Sequence, residues 1–307
     1  MAAPDVAPEI DLAALDATVD AAIERGGPAG LRILGFGEIT LVLGWPPERP
    51  VLAVKRLPVF GEAAAAERYA ALVEEYLAAL RAQGVEVVDT AVCPLGAPDG
   101  VHVYLVQPLV PRERVLSVAL ASAPPQRAEE LIERLAAAIC GAVDARLGLD
   151  AQAGNWAVDG DRLALFDVST PLMRSPGGHD LLDMGLFASV YPAALRPALR
   201  RIAHRIAAQY HDPRAVLLDV ASNLHKERLD RCVPMLLAAA EARVRPAVTW
   251  REVQRYFRRD RALWLMLQRL RRLDRAWQRG VRRRPYPFLL APPYRYGPML
   301  PPGESPP

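Results

Sequence analysis

The sequence predicts an α+β protein of two lobes: a small, mostly antiparallel sheet with one inserted helix, followed by a larger helical region. Three observations lead there. Short apolar runs broken by glycine and proline dominate up to about residue 108, with one long helical pattern among them. From Pro111 onward the apolar residues follow helical spacing instead. The 307 residues are 51% hydrophobic, enough chain for two lobes with a substantial core. The expected division is 1–108 for the strand-rich lobe, 109–248 for the helical lobe, and 249–307 for a basic helix and proline-rich tail packed on the helical lobe.

Each element follows from its residues. Residues 11–25 set Leu12, Leu15, Val19 and Ile23 at helical spacing, and GGPAG ends that pattern. LRILGFGEITLVLGW reads as two strands around a glycine turn, and PVLAVKRLPVF as a third with Lys55 near its end. An Ala/Leu/Glu-rich helix follows over 62–83, capped by Gly84. VEVVDTAVCPL and VHVYLVQPLV are two more strands, joined by GAPDG. PQRAEELIERLAAAICGAVDARLG is a helix with Leu131, Leu135, Ile139 and Val143 along one face. WAVDGDRLALFD is a hairpin turning at Asp159-Gly160. Helices then dominate: HDLLDMGLFASVY, RPALRRIAHRIAAQY and PRAVLLDVASNLHKERLDRCVPMLLAAAEARV. A basic amphipathic helix spans about 249–280, and the tail PYPFLLAPPYRYGPMLPPGESPP is too proline-rich to be helical, so an extended or disordered wrap is expected.

Composition narrows the function classes. No stretch approaches the roughly 18 uncharged apolar residues of a membrane helix, and the N-terminus, with its acids and prolines, is unlike a secretion signal. Cys93, Cys140 and Cys232 are widely spaced and odd in number, as reduced thiols of a cytoplasmic protein would be. The five histidines, His102, His179, His204, His211 and His225, show no metal-ligand spacing and read as core or surface residues. Of 38 basic residues only Lys55 and Lys226 are lysines, so each raises the question of why arginine did not replace it. Thirteen arginines fall between Arg251 and Arg284 against three acids, whereas the whole chain carries only +3. That basic face is either solvated or a surface for a polyanion or protein partner. Its apolar stripe, Trp250, Val253, Phe257, Trp264 and Leu267, reads as core or a subunit interface.

GLDAQAGNWAVDGDRLALFDVSTP, residues 148–171, sets Asp150, Asn155 and Asp167 around the hairpin. Upstream lie Gly35-Phe-Gly37-Glu-Ile-Thr40-Leu-Val42 and Ala53-Val54-Lys55. In order and spacing these residues resemble the protein-kinase-like fold, especially its small-molecule branch, the aminoglycoside phosphotransferases and choline kinases. The resemblance covers about residues 30–185. It implies ATP and Mg2+ as cofactors, with nucleotide contacts at Gly35, Gly37, Val42, Lys55 and Gln107. Glu74 or Glu75 would be the ion-pair partner of Lys55. Asp150 would be the catalytic base, with Asn155 and Asp167 as metal ligands.

The residue types suit that chemistry. Phosphoryl transfer needs positioning and charge stabilisation more than covalent chemistry. Glycines let backbone N–H groups approach phosphates, an ammonium is a compact charge for them, and Mg2+ prefers hard oxygen ligands. The sequence also departs from the pattern. Thr40 replaces the third glycine, Gly148 stands where the catalytic-loop histidine belongs, and Ser169 replaces the glycine after the metal aspartate. Asp180 or Asp183 is the expected brace for the loop. The leading expectation is an ATP/Mg2+-dependent phosphotransferase acting on a small-molecule hydroxyl. The alternatives are a catalytically impaired nucleotide-binding pseudokinase or scaffold using its basic C-terminal helix, or nucleotidyl transfer on the same fold.

Overall fold

The computed structural model describes residues 10–28, 30–36, 40–192, 195–284, 286 and 289–290. The chain opens with α1 (Leu12–Arg25), capped by Asp11, whose side chain accepts from the Ala14 N–H, and ended by Gly26 at φ 73°. Strands β1 (Arg32–Phe36), β2 (Leu41–Trp45) and β3 (Leu52–Arg56) follow, then α2 (Ala63–Ala82), β4 (Glu86–Val87), β5 (Ala91–Ala97) and β6 (Gly100–Pro108). Five of these strands form one antiparallel sheet in the order β1-β2-β3-β6-β5, with α2 inserted between β3 and the later strands, so the α+β class holds. The segment expected as one strand, VEVVDTAVCPL, is divided. Its start, β4, pairs in parallel with β8 (Arg162–Leu165) of a second sheet, and only Ala91–Ala97 joins the first. Both stretches are apolar enough for a strand; the free edge of β8 decides the division.

Past residue 108 come α3 (Leu116–Ser122), α4 (Pro125–Ala142), a single 3-10 turn (Ala153–Asn155), and the hairpin of β7 (Trp156–Asp159) and β8 (Arg162–Leu165). Gly160 turns the hairpin at φ 57°, which a glycine adopts freely. Then follow α5 (Gly185–Ser189), α6 (Arg196–Gln209), α7 (Pro213–Lys226), α8 (Val233–Glu241) and α9 (Trp250–Gly280). HDLLDMGLFASVY yields only the short α5, and Asp183, just before it, accepts from the Gly185 N–H at 2.7 Å. The long helical run from Pro213 breaks at Arg228, which takes φ 62°. The main core contains Val103 and Leu105 of the sheet as well as Leu131, Leu135 and Ile139 of α4, so it runs without interruption across residue 108.

α9 is held at both ends. A reciprocal capping box joins Thr249 and Glu252, and Arg214 grips Glu252 through two oxygens at 2.8 and 2.9 Å. Val253 and Phe257 are buried, with Phe257 edge-on to His225 of α7. Leu267 packs with Ala188, Tyr191 and Leu199. The helix rises about 1.5 Å per residue. After 31 residues it reaches α1, where Arg279 donates to the Ile23 carbonyl at 3.3 Å. A cation is favoured at that carbonyl-rich helix end. Of the expected wrap, residues 285–307, only 286, 289 and 290 are among the described residues. Among the described residues, no helix is long and apolar enough to cross a membrane.

A polar network, buried at Asp16, Arg56 and His102, half-buried at Asp20 and exposed at Asp99, fixes α1 to the sheet. Asp16 accepts from Tyr104 Oη at 2.5 Å and lies 2.7 Å from His102 Nδ1, while Asp99 lies 2.9 Å from the other ring nitrogen. Arg56 donates to Asp20 at 2.7 Å, and its Nη2 lies 2.9 Å from His102 Nδ1. One guanidinium thus faces two carboxylates. Removing one partner of a buried charge set leaves the other charges uncompensated. Arg56→Met is expected to lower unfolding free energy by about 3–5 kcal/mol, measured as the urea midpoint at constant m-value. A midpoint unchanged from wild type would show that the network contributes nothing to stability.

Candidate functional site

Lys55 sits on β3, opposite Val42 of β2 and Leu105 of β6. Its side chain is buried, and Nζ lies 2.7 Å from Asp167 Oδ1. Several groups position Asp167 just beyond β8. Gln107 donates to the Phe166 carbonyl and to Thr90 Oγ1, each at 2.8 Å. Its side chain therefore braces the Asp167 strand. The Phe166 N–H bonds to the Asn155 carbonyl at 3.0 Å. Ser169 donates to Asp167 Oδ1 from its hydroxyl at 2.7 Å and from its backbone N–H at 3.3 Å. Burial works against the Asp167 charge, but Lys55 and Ser169 outweigh it and hold the carboxyl below the usual carboxylate range.

Asp150 and Asn155 lie on the loop before β7. The Asn155 side-chain amide donates to the Asp150 carbonyl at 3.2 Å, and Trp156 Nε1 donates to the Ala151 carbonyl at 3.3 Å. Gly148 is locked by three contacts. Its N–H reaches the Leu172 carbonyl at 2.8 Å, Tyr76 Oη donates to its carbonyl at 3.0 Å, and the next N–H, of Leu149, reaches the Tyr210 carbonyl at 3.1 Å. A Cβ at Gly148 would lie 3.0 Å from the Tyr210 carbonyl oxygen and 3.1 Å from His211 Cε1. The buried ring of His211 thus fills the space where a loop histidine would project.

Some expectations are corrected here. Asp180 and Asp183 do not brace the loop: Asp180 pairs with Arg174 and His204, each at 2.8 Å, and Asp183 accepts from the Gly185 N–H at the start of α5. The ion-pair partner of Lys55 is Asp167, not Glu74 or Glu75. Both glutamates are exposed, because α2 buries the face carrying Tyr69, Val73, Tyr76 and Leu80. That face sends Tyr69 Oη to the Ser169 carbonyl at 2.9 Å and Tyr76 to Gly148, so two tyrosines stand where a glutamate was expected. Gly35 lies on β1 with no atom of the described residues within 4 Å of where a Cβ would project, and Gly37 lies outside the described residues.

Asp150, Asn155 and Asp167 line one cleft of about 970 Å³. The facing wall comes from α7 and α9. Lys226 bonds Asn223 Oδ1 at 2.9 Å and Asp260 Oδ2 at 2.5 Å, and Tyr256 donates to Asp219 at 2.8 Å. Arg255 and Arg259 of the basic helix line the same wall. Both lysines of the chain therefore meet this cleft, Lys55 through Asp167 and Lys226 directly. Their scarcity was a signal for both, but the motif spacing singled out only Lys55. Burial pushes Asp219 up to about 6, against the pull of Lys226, Tyr256 and Asn223. Burial likewise pushes Glu227 up to about 7, against the Gly154 N–H and Lys226. Glu227 Oε1 accepts from that N–H at 3.1 Å, and its Oε2 is buried with no hydrogen-bond partner among the described residues.

A second group, Asp16, Asp20 and His102, has ligand types suited to a cation. The Arg56 guanidinium already supplies positive charge there.

Residues 14–275 match the model of DUF6206, a family of unknown function, and the chain belongs to that family. No curated protein matches the chain.

Two predictions follow from the loop geometry. Gly148→Ala should lower stability by about 1–3 kcal/mol in thermal or urea melts, because backbone oxygen and a packed ring leave little room. A neutral effect would mean that the loop yields easily. Glu227→Gln keeps the bond from Gly154 but removes a carboxylate whose folded-state affinity for a proton is raised. Wild type binds more protons folded than unfolded between about pH 4.5 and 7 and loses stability as pH rises through that window. The variant should melt higher than wild type at pH 8, by about 1–3 kcal/mol, and converge with it near pH 4. A pH-independent difference would assign Glu227 a packing role only.

Proposed function

We propose that this member of DUF6206 is an ATP- and magnesium-dependent phosphotransferase of two-lobed protein-kinase-like fold, acting on a small-molecule hydroxyl. One observation carries the reading: Lys55 meets Asp167 at 2.7 Å on the cleft that also holds Asp150 and Asn155. Further support comes from the strand order β1-β2-β3-β6-β5, with α2 inserted after the lysine strand. The space beside Gly35, with no atom of the described residues within 4 Å of a Cβ there, supports a close approach of phosphate to the β1 backbone.

The donor set fits a hard cation. Asp167 Oδ2 and Asn155 Oδ1 have no hydrogen-bond partner among the described residues, while their neighbouring atoms are held by Ser169 and Asp150. Those two residues would hold magnesium, which when bound to nucleotide supplies neutralising charge at the phosphates. Lys55 would exchange its contact with Asp167 for the α/β phosphates. Asp150 would accept the proton of the attacking hydroxyl from a loop held by Tyr76, Leu172 and Tyr210. Arg255 and Arg259 supply cations to an anionic group on nucleotide or acceptor. A nucleotide cosubstrate and three free cysteines support a cytoplasmic location.

The rival reading, a nucleotide-binding scaffold without turnover, draws on Gly148 and Ser169. Both departures have a counterpart that favours the enzyme: His211 fills the space beside Gly148, and Ser169 anchors Asp167.

ATP with magnesium should raise the melting temperature, since a ligand at 100 times its Kd stabilises by about 2.7 kcal/mol. Lys55→Ala should remove most of that shift, and Asp167→Ala should weaken it in magnesium far more than in EDTA. Asp150→Asn should keep the shift and lower acceptor-dependent ADP release at least about 100-fold. No shift in wild type would overturn the nucleotide reading. A shift without ADP release against alcohols, amines and sugars would leave the scaffold.

A further inference from the structure

A second, apolar cavity opens beside Asp150. It measures about 110 Å³ and is walled mostly by apolar side chains, among them Leu172, Leu199, Ile202 and Ala203, with Thr170 and Tyr191 also on its lining. It shares Asp150, Ile206, Tyr210 and Leu267 with the charged cleft, so the two cavities meet at the candidate base. An apolar cavity of about 150 Å³ stays dry and takes up a molecule the size of benzene. The smaller cavity here suits a compact branched group of about four or five carbons. Nothing in the proposed nucleotide chemistry requires an apolar recess at this place, whereas an acceptor must present its hydroxyl at Asp150 and direct the rest of its skeleton somewhere.

We infer that the acceptor is an alcohol bearing a short, branched aliphatic group, seated in the recess between α5 and α6 with its hydroxyl at Asp150. The inference rests on the phosphotransferase reading above. In the transfer, the acceptor oxygen forms a bond to the γ-phosphorus of ATP as the bond to the β–γ bridging oxygen breaks. ADP leaves with that electron pair, and the hydroxyl proton passes to Asp150. Specificity then lies in the apolar recess, where each fitting methylene raises kcat/KM about fourfold.

The test uses the full chain and three probes: 1-butanol, 3-methyl-1-butanol and 1,2,4-butanetriol. Binding is read without nucleotide by ligand-observed NMR, and turnover as ADP release with MgATP. The branched alcohol is expected to bind and react best, and the triol at least about tenfold less well. Ala203→Leu, which fills the recess, should abolish binding of 3-methyl-1-butanol and leave the ATP-induced thermal shift unchanged. Leu199→Ala, which enlarges it, should move the preference toward longer alcohols, so the inference stays testable if the filling variant folds poorly. ADP release that favours the triol, or that is indifferent to both variants, overturns the recess while leaving the phosphotransferase reading intact. Binding of the branched alcohol that Ala203→Leu abolishes, with no ADP formed from any probe, keeps the recess as a binding site and overturns its role as the acceptor pocket. Failure of every probe to bind overturns the inference.

Discussion

The ion pair between Lys55 and Asp167 joins a strand of the five-stranded sheet to the segment after β8, more than 100 residues later in the chain. Lys55 is buried while Asp167 keeps one edge toward water, so it is the lysine whose charge would be costly without its partner. The surroundings are built accordingly. β4 crosses from the first sheet's neighbourhood to pair with β8, Gln107 reaches the Phe166 carbonyl, Ser169 bonds the carboxylate, and Tyr69 of α2 holds the Ser169 carbonyl. Loss of any one of these contacts would change where Asp167 meets Lys55. The cleft wall is therefore tied to the sheet, not to its own hairpin alone.

The opposite wall depends on α9. Glu252 is drawn down to about 2 by Arg214 and the Thr249 cap, so the start of α9 stays anchored over the whole neutral range. Tyr256 and Asp260 then reach Asp219 and Lys226 of α7, and Leu267 packs into the cluster of α5 and α6. The basic face is thus not uniformly solvated: Arg255 and Arg259 line the cleft, and Arg279 closes on the end of α1. The basic helix, expected to pack on the helical lobe, shares with α7 the wall that faces Asp150 and Asp167.

Two departures from the kinase-like pattern acquire a physical explanation. At Gly148 the loop backbone runs against Tyr210 and His211, so no side chain fits without displacement. At Ser169 a hydroxyl donates directly to the aspartate, in a place where a glycine could offer only its N–H. At Gly148 residues distant in the chain occupy the neighbouring space, whereas at Ser169 the substituted side chain itself adds a bond to the aspartate.

Local periodicity and turn chemistry were legible in the chain itself. The α+β class, the strands around Lys55, the hairpin (its turn at Gly160-Asp161, one residue past the expected Asp159-Gly160) and the start of α9 at Thr249 all follow from apolar spacing, glycine and capping residues acting within a few positions. The grouping of Asp150, Asn155 and Asp167 was legible for the same reason, since a two-residue turn brings the ends of a short hairpin together. What pairs with Lys55 was not, because α2 offers several glutamates and only its rotation about its axis, set by the buried face of Tyr69, Val73 and Tyr76, decides which residues reach the site. Nor were the division of VEVVDTAVCPL between two sheets, the place of His211 beside Gly148, or the meeting of Lys226 with the cleft. Those depend on contacts between residues distant in the chain, which only close packing of the whole core selects.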